Sequence, residues 1–181
     1  ELLGYIGYDA SYTSCAKAIR FLKTEQEDDG SWYGRWGVNY IYGTWQALRG
    51  LAAIGSDMTA PCARKGAAWL KSIQLPDGSW GETCATYHDA ALKGKGPSTP
   101  AQTAWAIMGL MAAGVNDESV KRGVEYLVST QRPDGTWDES EFTGTGFPKV
   151  YYLEYTMYRN YFPLQALGIY RKALDAGRAH I

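Results

Sequence analysis

The sequence has little charge imbalance and no long hydrophobic run. Its 181 residues include 18 Lys and Arg and 19 Asp and Glu, which gives a formal net charge of −1. With no basic run, there is no electrostatic reason to expect nucleic acid as a partner. The longest apolar stretch, Ala101 to Gly114, is too short and too rich in alanine and glycine to predict a membrane-spanning helix.

Cysteine and histidine are also scarce. The three cysteines, Cys15, Cys62 and Cys84, are an odd and scattered set, which does not indicate a disulfide framework and favours a reducing compartment. Cys84 and His88 lack the second pair that would complete a tetrahedral set of metal ligands. A glycine-rich phosphate loop and a nucleophile elbow are missing as well. The sequence therefore predicts no metal and no cofactor.

Aromatic residues, in contrast, are abundant, and some belong to a repeat. The chain has 14 Tyr and 7 Trp. A seven-residue pattern of Gln, two variable residues, Asp-Gly, a hydroxyl residue and Trp occurs three times, at intervals of about 50 residues, long enough for two helices per repeat. The Gln and Trp of the three copies are Gln26 and Trp32, Gln74 and Trp80, and Gln131 and Trp137.

The segments around the repeats predict helices of two kinds. Residues 12–25, 59–73 and 117–130 place apolar side chains on one stripe, as an outer amphipathic helix does. Residues 39–54 and 99–113 are apolar nearly all round, which indicates buried helices. A long aromatic segment, 151–176, closes the chain, and Pro163 should interrupt or kink it.

Alternating outer and inner helices predict an all-α protein. We expect about three outer-inner pairs in an α/α toroid, with buried helices inside and amphipathic helices around them. Three pairs make a partial α/α barrel, so residues 1–181 are interpreted as one portion of a larger barrel. The start at Glu1, without Met or a visible leader, also favours a fragment.

Each repeat is best interpreted as a connector between outer helices. The amide of Gln can bond the free backbone groups of a neighbouring helix end, the Asp-Gly pair supplies a turn, and the Trp ring stacks. A direct catalytic role for these residues is not expected.

Two aromatic stretches between and after the repeats are candidates for a binding surface. Tyr151, Tyr155 and Tyr158 follow i, i+4, i+7 spacing, so they are predicted to line one helical face, with Phe147 just upstream. Such a stripe indicates either core or a cavity wall, where rings stabilise positive charge by cation–π attraction. The run 35–44 brings further rings to an inner helix, where core packing and a cavity role are both open for Trp36.

These stretches resemble the squalene-hopene cyclase and oxidosqualene cyclase family. The repeats are similar to that family's QW motifs, and the resemblance covers essentially the whole chain. It is carried most specifically by three segments: Gly34-Arg35-Trp36-Gly37-Val38-Asn39-Tyr40-Ile41-Tyr42-Gly43-Thr44, Ser98-Thr99-Pro100-Ala101-Gln102-Thr103-Ala104-Trp105-Ala106, and Gly144-Thr145-Gly146-Phe147-Pro148 with the following Tyr155-Thr156-Met157-Tyr158-Arg159.

The resemblance implies a class II triterpene cyclase, an isomerase or lyase that cyclises squalene or a related polyprenoid through carbocations. It implies the C-terminal portion of a bacterial two-barrel enzyme, with a cavity lined by Trp36, Tyr42, Phe147, Tyr151, Tyr155 and Tyr158. The family's acidic Asp-x-Asp-Asp motif is absent, and Glu27-Asp28-Asp29 does not replace it. Tyr151 stands where hopene cyclases commonly have Phe, and Glu154 where the family often has Gly. Because the acidic motif is absent, we expect this chain alone to be inactive.

Further expectations follow from the same resemblance. The partners are the polyprenoid and the remainder of the cyclase chain, and a homodimer is allowed. The whole enzyme is expected to be monotopic at the cytoplasmic face of the membrane, and the fragment soluble. The alternative is a stand-alone α/α repeat module that binds a lipid or a partner helix without catalysis. A prenyltransferase-like protein would need zinc ligands, and the sequence offers no convincing set.

Overall fold

The computed structural model describes residues 1–178 and consists mainly of helices in two layers. The outer layer contains α2 (Thr13–Thr24), α4 (Pro61–Ser72) and α6 (Glu118–Thr130), and a short α1 (Leu2–Tyr5) precedes it. The inner layer contains α3 (Tyr40–Ala53), α5 (Pro100–Ala112) and α7 (Tyr158–Arg178). The predicted all-α fold of three outer-inner pairs is confirmed, and the helix bounds before residue 131 agree with the predicted ones to within two residues.

The inner helix α5 forms the centre of the core. Every residue from Pro100 to Leu110 is buried, because α5 packs between α3 and α7. Gly109 allows the close approach of α3, since a Cβ there would lie 3.2 Å from the Cα of Trp45. The outer helix α6 buries only one stripe, which includes Val120, Val124 and Leu127. The two helix classes thus reflect full and one-sided burial of apolar surface.

The first two repeats connect outer helices as predicted, whereas within residues 1–178 the Gln131 amide of the third donates only to Gly135 O. The Gln26 amide donates to the carbonyls of Gly30 and Cys62, both at 2.9 Å, and Gln74 donates to those of Gly78 and Ser119, both at 2.8 Å. The Trp32 indole N–H donates to Leu22 O at 2.7 Å. Trp80 and Trp137 make the equivalent bonds to Leu70 O and Leu127 O, at 2.7 and 2.8 Å. Each repeat therefore joins the end of its own helix to the turn that follows it.

The segment after the third repeat differs from its prediction. Residues 151–153 are not helical: β1 (Gly144–Phe147) pairs antiparallel with β2 (Tyr151–Leu153), and Lys149 in the turn has a φ of 69°. Helix α7 starts at Tyr158 and continues through Pro163 without a break in the helix assignment, so the predicted interruption is not found. The all-α core consequently carries one small hairpin.

Two 3₁₀ turns lie in the long segment between α4 and α5. They cover Cys84–Tyr87 and Ala90–Leu92. The Tyr87 phenol lies 2.8 Å from Gly34 O and 2.7 Å from Gly37 O, so this loop holds the run that leads into α3. No helix within residues 1–178 combines the length and apolar character that a membrane crossing needs.

Candidate functional site

The six aromatic residues predicted for a cavity form two groups of contacting rings. We call the six together the aromatic wall. The hairpin rings are Trp36, Phe147 and Tyr151, and the helix rings are Tyr42, Tyr155 and Tyr158. The predicted helical stripe of Tyr151, Tyr155 and Tyr158 is wrong, because Tyr151 lies on β2, Tyr155 follows it in a loop, and only Tyr158 is helical.

The hairpin rings contact one another edge to face. The centroid of Phe147 lies 6.4 Å from that of Trp36 and 5.9 Å from that of Tyr151. About half of the surface of each of these residues is exposed to solvent: 51% for Trp36 and Phe147 and 46% for Tyr151. The Arg35 guanidinium lies 5.0 Å from the Trp36 centroid. Three rings at this exposure form an open surface and not a packed core.

The helix rings continue into buried aromatic residues. Tyr155 stacks on Tyr158 at 4.6 Å between centroids. Tyr42 and Tyr158 both contact Trp105 edge to face, at 5.1 and 5.9 Å. Trp105 in turn stacks on Trp45 at 5.5 Å. The helix rings are therefore supported from behind by tryptophans of α3 and α5 that are 4% exposed or less.

Glycines set the distance between the wall and the backbone behind it. A Cβ at Gly144 would lie 2.3 Å from the Tyr155 ring, and one at Gly37 would lie 2.3 Å from the Tyr42 ring. Gly37 and Gly144 also pair with each other in an isolated β-bridge. Both glycines therefore let a helix ring lie directly on the backbone, because only a residue without a side chain leaves room for it.

Burial makes two phenols of the wall harder to ionise. Loss of solvent raises the pKa of Tyr42 and of Tyr158 above the ordinary value of 10.0. A protonated phenol offers its ring face as an electron-rich surface without the nucleophilic oxygen of a phenolate. The wall can therefore attract a cation at neutral pH without supplying a strong base.

A buried polar network lies between the wall and helix α5. The Gln102 amide donates to Val38 O and to Glu82 O, both at 2.9 Å, and accepts from Glu82 N at 2.9 Å. One carboxylate oxygen of Glu82 accepts from the backbone N–H groups of Asn39 and Ile41, at 3.2 and 2.9 Å. These bonds fix the start of α3, which carries Tyr42.

Glu139 makes a similar arrangement at the start of α5. One oxygen accepts from Ala101 N at 3.0 Å and the other from the Thr143 hydroxyl at 3.0 Å. Burial raises the pKa of Glu139 to about 7 and raises that of Glu82 as well, while their hydrogen bonds oppose the shift. Both carboxyl groups therefore favour the neutral form more than an exposed carboxyl does.

Comparison with known proteins places these features in a family. The model of the squalene-hopene cyclase C-terminal domain matches residues 1–172. The chain is 53% identical to the squalene-hopene cyclase of Alicyclobacillus acidocaldarius over 176 residues, covering 97% of this chain and 28% of the relative. The chain belongs to the squalene-hopene cyclase family.

A second curated relative and a solved structure are also similar to the chain. The dammaradiene synthase of Dryopteris crassirhizoma is 47% identical over 180 residues, covering 91% of this chain and 26% of the relative. The solved ent-copalyl diphosphate synthase from Streptomyces platensis superposes with a TM-score of 0.63 at 24% identity, over 85% of this chain and 27% of that chain. That similarity concerns the fold alone. The chain thus spans about a quarter of the length of these curated relatives.

Sequence reasoning missed the polar network behind the wall of this cyclase-family chain. Glu82 and Glu139 each stand two positions after the Trp of a repeat, in Trp80-Gly81-Glu82 and Trp137-Asp138-Glu139. That shared offset was a usable signal. Cys84 and His88 contact other groups: the thiol lies 3.4 Å from Phe142 O, and His88 lies 3.3 Å from the Tyr152 hydroxyl. No group of three potential metal ligands occurs among residues 1–178.

Proposed function

We propose that this chain forms one wall of a triterpene cyclase cavity, in which squalene or a related polyprenoid cyclises through carbocation intermediates. The observation that supports this best is the aromatic wall, in which the hairpin rings are half exposed and the helix rings are backed by buried tryptophans. A carbocation reacts with any nucleophile in reach, so the surface around it must be dry, rigid and electron-rich. Neutral phenols, phenyl rings and indoles meet these requirements.

The initiating acid is proposed to come from the remainder of the cyclase chain. The third repeat supports such a partner, because within residues 1–178 no further outer helix packs on it. The role proposed for Trp36, Tyr42, Phe147, Tyr151, Tyr155 and Tyr158 is to stabilise positive charge along the polyene. We further propose that the complete enzyme is monotopic at the cytoplasmic membrane face, with a homodimer as its assembly, and that the 181-residue chain alone is inactive and soluble.

Incubation with squalene tests the proposal. The purified 181-residue chain is expected to give no cyclised product by gas chromatography. A complete cyclase chain that contains residues 1–181 is expected to give polycyclic product, and Tyr155→Ala in it is expected to lower turnover while leaving folding intact by circular dichroism. Cyclised product from the 181-residue chain alone would contradict the proposed need for an acid elsewhere, and full turnover of the Tyr155 variant would contradict the role of the wall.

A further inference from the structure

Glu139 connects the third repeat, the start of α5 and the base of the hairpin. Its two oxygens bond Ala101 N and the Thr143 hydroxyl, each at 3.0 Å. Glu139 is 9% exposed and Thr143 is fully buried. Thr143 immediately precedes β1, whose last residue is Phe147. One side chain thus joins a core helix to the segment that carries the hairpin rings.

The backbone beyond Thr143 extends this connection to Trp36. Thr143 O accepts from Val38 N at 2.9 Å, and Thr145 N donates to Trp36 O at 3.2 Å. Val38 O accepts from the Gln102 amide on α5 at 2.9 Å. The bonds form a closed path from α5 through Glu139, the hairpin and Val38 back to α5. All three hairpin rings are attached to this path.

The equivalent residue in the second repeat shows which part of this role is particular to Glu139. Glu82 bonds Asn39 N and Ile41 N at the start of α3 with a single oxygen. Its second oxygen is buried and has no hydrogen-bond partner within residues 1–178. Glu139 uses its second oxygen for Thr143, so only Glu139 links a helix start to the hairpin.

We propose that Glu139 is a positioning residue, which holds the hairpin rings Trp36, Phe147 and Tyr151 in register with the inner helices for the cyclisation proposed above. The inference rests on that proposed function for its catalytic consequence. Glu139 acts through Thr143 and the backbone, and it does not need to touch substrate. The charged groups that face it are Arg159 and Glu154.

Four variants separate positioning from charge. Glu139→Ala removes both bonds, whereas Glu139→Gln keeps an acceptor for Ala101 N and a donor for the Thr143 oxygen. Thr143→Val removes only the bond to the hairpin base and preserves volume. Asp138→Asn, at the adjacent surface position whose carboxylate pairs with Arg132, is the matched control.

Amide hydrogen exchange in the 181-residue chain is the first measurement. Glu139→Ala is expected to accelerate exchange of the Val38 and Thr145 N–H groups about tenfold or more, because it leaves Ala101 N and the Thr143 hydroxyl without their partner and frees the base of the hairpin. Thr143→Val is expected to have a smaller effect in the same direction. Glu139→Gln and Asp138→Asn should remain near wild type, as should the Glu27 N–H of the first repeat in every variant.

Product analysis in a complete cyclase chain is the second measurement. Glu139→Ala and Thr143→Val are expected to raise the share of incompletely cyclised products several-fold, and Glu139→Gln should restore the wild-type product pattern. Unchanged exchange in Thr143→Val, or a Glu139→Gln product pattern like that of Glu139→Ala, would overturn the positioning role. If wild type forms no cyclised product, the proposed function fails, while the exchange rates still decide whether Glu139 fixes the hairpin.

Discussion

The first two repeats and the third differ in what packs against them. In the first, a Cβ at Gly30 would lie 2.5 Å from Lys65 O, and one at Gly66 would lie 2.7 Å from the Trp32 ring. In the second, a Cβ at Gly78 would lie 2.7 Å from Arg122 O. A Cβ at Gly135 in the third would meet only the Gln131 amide of the same repeat, at 4.0 Å.

The hydrogen bonds show the same difference. The Gln26 and Gln74 amides donate to a carbonyl in the first turn of the next outer helix. Within the described part of the chain, Gln131 donates only to Gly135 O, at 3.0 Å. The comparison shows that each repeat can make two kinds of contact, and that one can form without the other. The local contact closes the turn in all three copies, and the other needs the next outer helix.

Truncating the repeat tryptophans should produce the largest effects. Trp80→Ala is expected to lower the free energy of unfolding by about 4 kcal/mol, because the ring is fully buried and packs on α6 at Gly123. Trp137→Ala should cost about 3 kcal/mol, since it lacks that helix contact. Urea unfolding followed by circular dichroism measures both. Equal losses of unfolding free energy would show that the contact between the ring and the next outer helix does not stabilise the protein.

Glu82 and Glu139 stand two positions after those tryptophans, and their carboxyl groups should make the free energy of unfolding depend on pH. Burial raises the pKa of Glu139 from an ordinary 4.5 to about 7, so the folded state binds a proton that the unfolded state releases. The stabilisation from this proton is complete below pH 4.5 and is lost as pH rises to about 7, in total about 3 kcal/mol. Glu139→Gln should remove this part of the pH dependence.

Stability measured from pH 4 to 8 in wild type and Glu139→Gln isolates the effect from that of Glu82. Asp138→Asn serves as the control, because its side chain is 79% exposed. A pH dependence in Glu139→Gln that equals the wild-type one would show that Glu139 titrates as an exposed carboxyl does.

The turn glycines should give the cleanest difference. Gly78 and Gly135 have φ values of 89° and 84°, so alanine is strained at both positions, by about 1 kcal/mol. Gly78→Ala also forces its Cβ against Arg122 O and should cost about 2 kcal/mol more than Gly135→Ala. Thermal unfolding of the two variants measures this difference. Equal losses would mean that α6 moves away at little cost.

The layers and most helix bounds could be predicted because the buried face of a helix sets the spacing of apolar residues along the sequence. Helix α5 has no charged residue and α6 has a single apolar stripe, so their places inside and outside followed directly. The roles of Gln26 and Trp32 followed from the same repetition. These features depend on local sequence and on a pattern that recurs.

The hairpin and the grouping of rings depend on distant contacts instead. Tyr151, Tyr155 and Tyr158 match a helical period by coincidence, whereas β1 is fixed by Trp36 and Val38, more than 100 residues earlier in the chain. A period within one segment carries no information about such pairing. The Glu139 link was also hidden, although its offset from Trp137 repeats that of Glu82 from Trp80.

The outer connections and the aromatic wall share no side chain. Gln26, Gln74 and the indole N–H groups bond backbone carbonyls of outer helices and their turns. The wall rings stand on α3, α7, the hairpin and the segments that lead into the two helices. A substitution among the wall rings therefore leaves the bonds between the outer helices in place. Under the proposed function, the cavity can change its shape while those connections are kept.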